Sequence, residues 1–71
     1  MNIGKVLKEL REEFHISQEK LANDLCIDRS TVAKYETNDR MPDADMLCKL
    51  ADYFKVSVDY LLGREKDLLY G

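Results

Sequence analysis

Seventy-one residues set a ceiling of one small domain, because a chain of this length buries only about 60% of the surface that its unfolded form exposes. With 45% hydrophobic residues, 35% charged residues and a formal net charge of -3, the composition excludes intrinsic disorder, and the acidic balance by itself argues against a nucleic-acid partner. No apolar run approaches the roughly 20 residues of a membrane-spanning helix, and the opening MNIGKVLKELREE turns charged before a signal-peptide apolar region develops, so a cytoplasmic location and no membrane partner are expected.

Ile3, Val6, Leu7, Leu10 and Phe14 recur at helical spacing, with Lys5, Lys8, Glu9, Glu12 and Glu13 on the other side, which predicts a first amphipathic helix. Ser17 is placed to cap a second helix and Glu19 complements its dipole. Leu21, Ala22 and Leu25 form its buried face, and it ends near Leu25 or Cys26. Asp28 then caps a third helix, with Val32 inward and Ala33 and Tyr35 on the neighbouring faces. That helix closes near Thr37, where Asn38 can take the left-handed conformation. Met41-Pro42 forbids helix and Asp43 restarts it, placing Met46, Leu47, Leu50, Ala51 and Phe54 on one side of a fourth. Ser57 caps a short fifth helix in SVDYLLG that stops at Gly63. Period-two alternation never persists, so no strand is expected. The chain divides into an all-α domain over residues 1–63 and a tail over 64–71.

Little in this inventory carries chemistry. Cys26 and Cys48 stand apart without a second C-x-x-C member, which is not metal-ligand spacing, and both are expected to be small buried thiols of structural value. His15 sits in a polar connection and is expected to meet solvent. No nucleophile, base and orienting group can be assembled, so neither an enzyme nor a cofactor is expected.

The third helix is different. Arg29, Ser30 and Thr31 stand near its start and Lys34 follows one turn later, so hydrogen-bond donors cluster on one face in the manner of a helix that reads DNA. A solvated surface would also accept these charges, but the surrounding pattern is specific in combination. SQEKLA opens helix two, RSTVAKYE lies in helix three, RMPD follows in the loop, and LCKLADYFKVSVDYLLG completes the domain. Over about Lys5 to Gly63 the chain resembles the Cro and phage-repressor family of helix-turn-helix transcription regulators.

The resemblance implies a compact five-helix, lambda-repressor-like DNA-binding domain, repressor or activator function with repression the first expectation, and a homodimer on a partly palindromic operator. It places Arg29, Ser30 and Lys34 at positions that read base edges. Gln18, Thr31, Tyr35, Asn38 and Arg40 fall at positions near phosphates. Arg11 and Glu36 match a pair that ties helix one to the end of helix three. Two residues depart from the pattern: Cys26 and Asn38 both stand where glycine is common, so Cys26 either takes a positive φ at some cost or the turn follows another path. The net charge departs too, although an acidic back face with Arg29, Lys34 and Arg40 in front still permits binding. For the dimer, Tyr60, Leu61, Leu62, Leu68 and Leu69 are the candidate contacts, some of them required by the domain's own core. A protein-interaction module of the same fold, such as an antitoxin or a scaffold that has lost DNA contact, is the competing expectation.

Overall fold

The computed structural model describes residues 2–64, and among these it is all-helical: α1 (Ile3–Glu13), α2 (Gln18–Leu25), α3 (Arg29–Glu36), α4 (Ala44–Phe54) and α5 (Val58–Leu61). The tail residues Leu68 and Leu69 lie outside the described residues. Each helix is too short to be stable alone, so its apolar stripe must be shared. Leu7 and Leu10 of α1, Leu21 and Ala22 of α2, Val32 and Tyr35 of α3, Leu50, Ala51 and Phe54 of α4, and Leu61 of α5 form one buried cluster. Leu7, Leu21, Val32, Leu50 and Leu61 are fully inaccessible, and burying a side chain of this size contributes about 1.5–3 kcal/mol. α3 packs against both α1 and α2, while α5 closes the other end against α1 and α4.

Three expectations change. Phe14 falls one residue beyond α1, where the helical stripe no longer points inward; it is 46% exposed and lays its ring edge-on to Phe54 at 5.0 Å. Both cysteines are exposed free thiols rather than buried ones, because Cys48 lies on the solvent flank of α4 and Cys26 at the turn after α2. Leu61 is withdrawn from the dimer contacts, since its side chain is spent in the core.

The helices stop by a shared device. After each one a residue takes a positive φ: His15 at 56°, Cys26 at 60°, Asn38 at 64°, Lys55 at 58° and Gly63 at 76°. The following amide then reaches back five residues to an orphan carbonyl, as in Ile16 to Arg11, Ile27 to Ala22, Asp39 to Lys34, Val56 to Ala51 and Arg64 to Asp59. In three connections the sequence repeats as left-handed residue, branched apolar residue, N-cap: His15-Ile16-Ser17, Cys26-Ile27-Asp28 and Lys55-Val56-Ser57. Ile16, Ile27 and Val56 pack against the core, which fixes the angle at which the next helix leaves. The connection from α3 to α4 breaks the pattern and runs longer, through Asp39, Arg40, Met41 and a buried Pro42.

Candidate nucleic-acid interface

α3 is amphipathic in function as well as in packing. Its inward residues Val32 and Tyr35 hold it to the core, and this leaves Arg29, Ser30 and Lys34 exposed on the outward side. α2 lies behind it, joined by the short turn at Cys26 and Ile27. Thr31 is half-buried and, with Asp28, Tyr35, Arg40, Met41 and Asp43, lines an open groove of about 660 Å³ beside the helix.

The back of the site is held by an ion pair. Arg11 donates through Nε to Glu36 Oε2 at 2.6 Å and through Nη2 to Oε1 at 3.2 Å, a two-pronged contact with only 13% and 5% of the side chains exposed. The Glu36 hydrogen bond holds the Arg11 pKa above its ordinary value, against the opposing effect of burial. Arg11 also donates to the Ile16 carbonyl at 2.9 Å, and Gln18 Nε2 donates to Glu36 Oε1 at 3.0 Å. One carboxylate thus joins the end of α3 to α1 and to the first residue of α2.

Two of the residues expected near phosphates, Gln18 and Asn38, also make bonds within the domain. Gln18 turns its amide nitrogen inward to Glu36, leaving its second amide hydrogen and the backbone amides of Gln18 and Glu19 for an outside acceptor, the Lys20 amide being capped by Ser17. Asn38 is exposed and also bonds back toward α1: its Oδ1 accepts from the Gly4 amide at 3.0 Å and its Nδ2 donates to Asn2 Oδ1 at 3.3 Å. Its side chain is a clasp on the start of α1. Tyr35 is 5% exposed, so only the edge that borders the groove can meet a partner. Arg40 is exposed on that same groove.

Gly4 belongs to the site, a place that neither the apolar stripe of α1 nor its cap assigns to it. A methyl group there would stand 2.8 Å from the Tyr35 carbonyl oxygen and closer still to that of Glu36. The absence of a side chain lets the start of α1 seat on the end of α3, where Asn38 reaches it. α2 is tied sideways to α4 as well, by the Tyr53 hydroxyl donating to Asp24 at 2.6 Å, while Lys20, on α2 itself, lies 3.1 Å from the same carboxylate. The Tyr53 bond, with Lys20, holds the Asp24 pKa below the usual carboxylate value, and the carboxylate pushes that of Tyr53 up to about 12.

Among the described residues no His, Cys, Asp and Glu group is arranged to hold a metal, and no helix is long and apolar enough to cross a membrane. What the geometry does present is two helices joined by a tight turn, the second with its polar face free: a helix-turn-helix. Residues 7–61 match the family model described as helix-turn-helix, and the chain belongs to that family, of the Cro-like and phage-repressor-like kind. It is 41% identical over 66 residues to the HTH-type transcriptional regulator ImmR of Bacillus subtilis (strain 168), covering 93% of this chain and 52% of that protein. It is 44% identical over 66 residues to the regulator AnsR of the same organism, covering 93% of this chain and 56% of that one. The HTH-type transcriptional activator BcrR of Enterococcus faecalis is 30% identical over 66 residues, with 93% and 32% covered. The chain therefore spans about half the length of ImmR and AnsR.

Proposed function

We propose that the chain is a sequence-specific, double-stranded DNA-binding module of a cytoplasmic transcription regulator, without catalytic activity. The observation that carries this reading is the division of α3: Val32 and Tyr35 lock one side into the core while Arg29, Ser30 and Lys34 stand free on the other. Arg and Lys donate to guanine O6 and N7, and Ser to either base type, so this face can read a major groove. Arg40, Thr31 and the α2 N-terminus are placed to meet phosphates and set the register. Asp28, Asp39 and Asp43 lie among these cations, so the phosphate count is small and non-specific affinity weak.

A single module of this size makes too few contacts for a specific affinity of about 10⁻⁸ M, which favours a homodimer on a partly palindromic operator. A two-fold axis sets the paired copies of α3 about 34 Å apart, one turn of DNA. Tyr60 on α5 and Leu62 at its C-terminal cap, both half-buried, are the contacts available on the described residues, with Leu68 and Leu69 of the tail further along the sequence. Repression is the favoured outcome on such an operator, by occlusion of the promoter.

Selection of bound sequences from a random duplex pool tests the reading. A single motif is expected, released as salt rises, with Arg29→Ala and Lys34→Ala each altering the preference at one position of the motif by about 1–3 kcal/mol. A chain that binds no duplex at low salt is a protein-interaction module instead.

A further inference from the structure

We infer that the Asp28 carboxylate is a specificity-determining group: it accepts a hydrogen bond from the N4 amine of a cytosine within one base pair of the guanine met by Arg29. The inference rests on the DNA-binding reading and adds a residue that the sequence pattern assigns only to capping.

Asp28 stands where a helix cap should act, and it does not act. In the three equivalent connections, Ser17 and Ser57 accept from the amide three residues on, each at 3.0 Å, while the Asp28 side chain makes no such bond. Asn2 and Asp43 cap their helices as well. The backbone is not the cause, since Asp28 at φ -80° and ψ 149° matches Ser57 at -79° and 159°. The first turn of α3 is closed without the side chain, because the Thr31 amide donates to the Asp28 carbonyl at 3.0 Å. A residue type that caps well by nature is therefore left with its carboxylate unused.

The unused group points to one kind of partner. It is exposed, borders the groove shared with Thr31, Tyr35 and Arg40, and directly precedes Arg29. Among the described residues it has no hydrogen-bond or ion-pair partner, Arg40 included. An ionised carboxylate only accepts, and the DNA backbone offers it only more oxygen and negative charge. In the major groove the donors are the exocyclic amines, and the carboxylate suits cytosine N4. The N-terminal residues of a recognition helix are those that meet base edges.

The test is selection from a random duplex pool by the intact chain and by its Asp28→Ser and Asp28→Asn variants. Serine caps at the equivalent places, so Asp28→Ser should keep its melting temperature and remain a folded control. The wild-type motif should contain a cytosine that Asp28→Ser relaxes by about tenfold while the other positions hold. Asp28→Asn should move the same position toward adenine, whose N6 and N7 match a carboxamide. Variants that select the wild-type motif unchanged, or that tighten all sequences by one common factor, overturn the inference, the latter result leaving Asp28 a mere repeller of phosphate. A wild-type chain that selects no motif overturns the DNA-binding reading and this inference together.

Discussion

The turn inside the helix-turn-helix and the closure that follows it use one backbone shape with opposite support. Cys26 closes α2 at φ 60° and Asn38 follows α3 at φ 64°, each with an amide returning five residues. A non-glycine residue in this conformation costs roughly 1–2 kcal/mol. At Asn38 that cost is offset by two side-chain bonds to the start of α1 and its N-cap, with Gly4 seated beside it and Glu36 of the ion pair two residues back. At Cys26 the thiol is exposed and only the Ile27 packing and the backbone closure remain. The far end of the recognition helix is thus anchored to the domain, and its near end is set by a strained local turn.

Breaking the anchored end should cost most. Glu36→Ala leaves the part-buried Arg11 charge and the Gln18 amide without their shared acceptor, and the expected loss is about 2–3 kcal/mol by urea unfolding. Gly4→Ala should follow at about 1–3 kcal/mol, since the methyl must push α1 off the α3 carbonyls; the check is a drop in melting temperature with helix content retained.

The same substitution at the two closures sharpens the contrast. Cys26→Gly relieves about 1–2 kcal/mol of strain and adds about 0.5–1 kcal/mol of chain entropy to be lost, so it should be neutral or stabilise by up to about 1 kcal/mol, whereas Asn38→Gly relieves the same φ but loses the clasp, and so should gain nothing or destabilise. Equal gains at both positions, read by chemical denaturation, would show that the clasp does not contribute.

The smallest effect is the sideways tie of α2, read by pH. Tyr53 is raised to about 12 in the fold, so its contribution is complete below about pH 10 and lost as pH climbs from there through 12. Asp24 is lowered, so its contribution is present above the ordinary carboxylate range and lost as pH falls through its folded value. Tyr53→Phe should remove the alkaline loss, measured as melting temperature against pH in matched wild-type and variant series.

Most of the core was legible because a helical stripe announces itself: Leu7, Leu10, Leu21, Val32, Leu50 and Phe54 all lie where spacing alone puts them. The stripe misled where it ran past the helix, at Phe14, and where an apolar neighbourhood was read as burial, at Cys48. The left-handed residues His15 and Lys55 were invisible because neither is glycine or asparagine. The available signal was the residue after them, a branched apolar side chain out of helical register and just before a cap, repeated at Ile16, Ile27 and Val56. The Arg11–Glu36 pair was reachable only by family resemblance, since nothing local joins residues that far apart. Gly4 could have been suspected on its own: a glycine inside a helix costs about 1 kcal/mol against alanine, so its presence hints at a close approach.

The repeated stop, staple and start also bears on how fast the chain reaches this shape. A helix that ends by its own backbone closure needs no distant contact to find its boundary; all four links begin with that closure, and in three of them the apolar residue and the N-cap of the next helix follow at once. The loops to be closed are short, so the entropy of closing them is small and much of the search is finished within each pair of helices. Small helical domains built this way fold on the microsecond to millisecond scale, and a newly made chain of this design spends correspondingly little time with Leu21, Val32 and Leu61 open to aggregation.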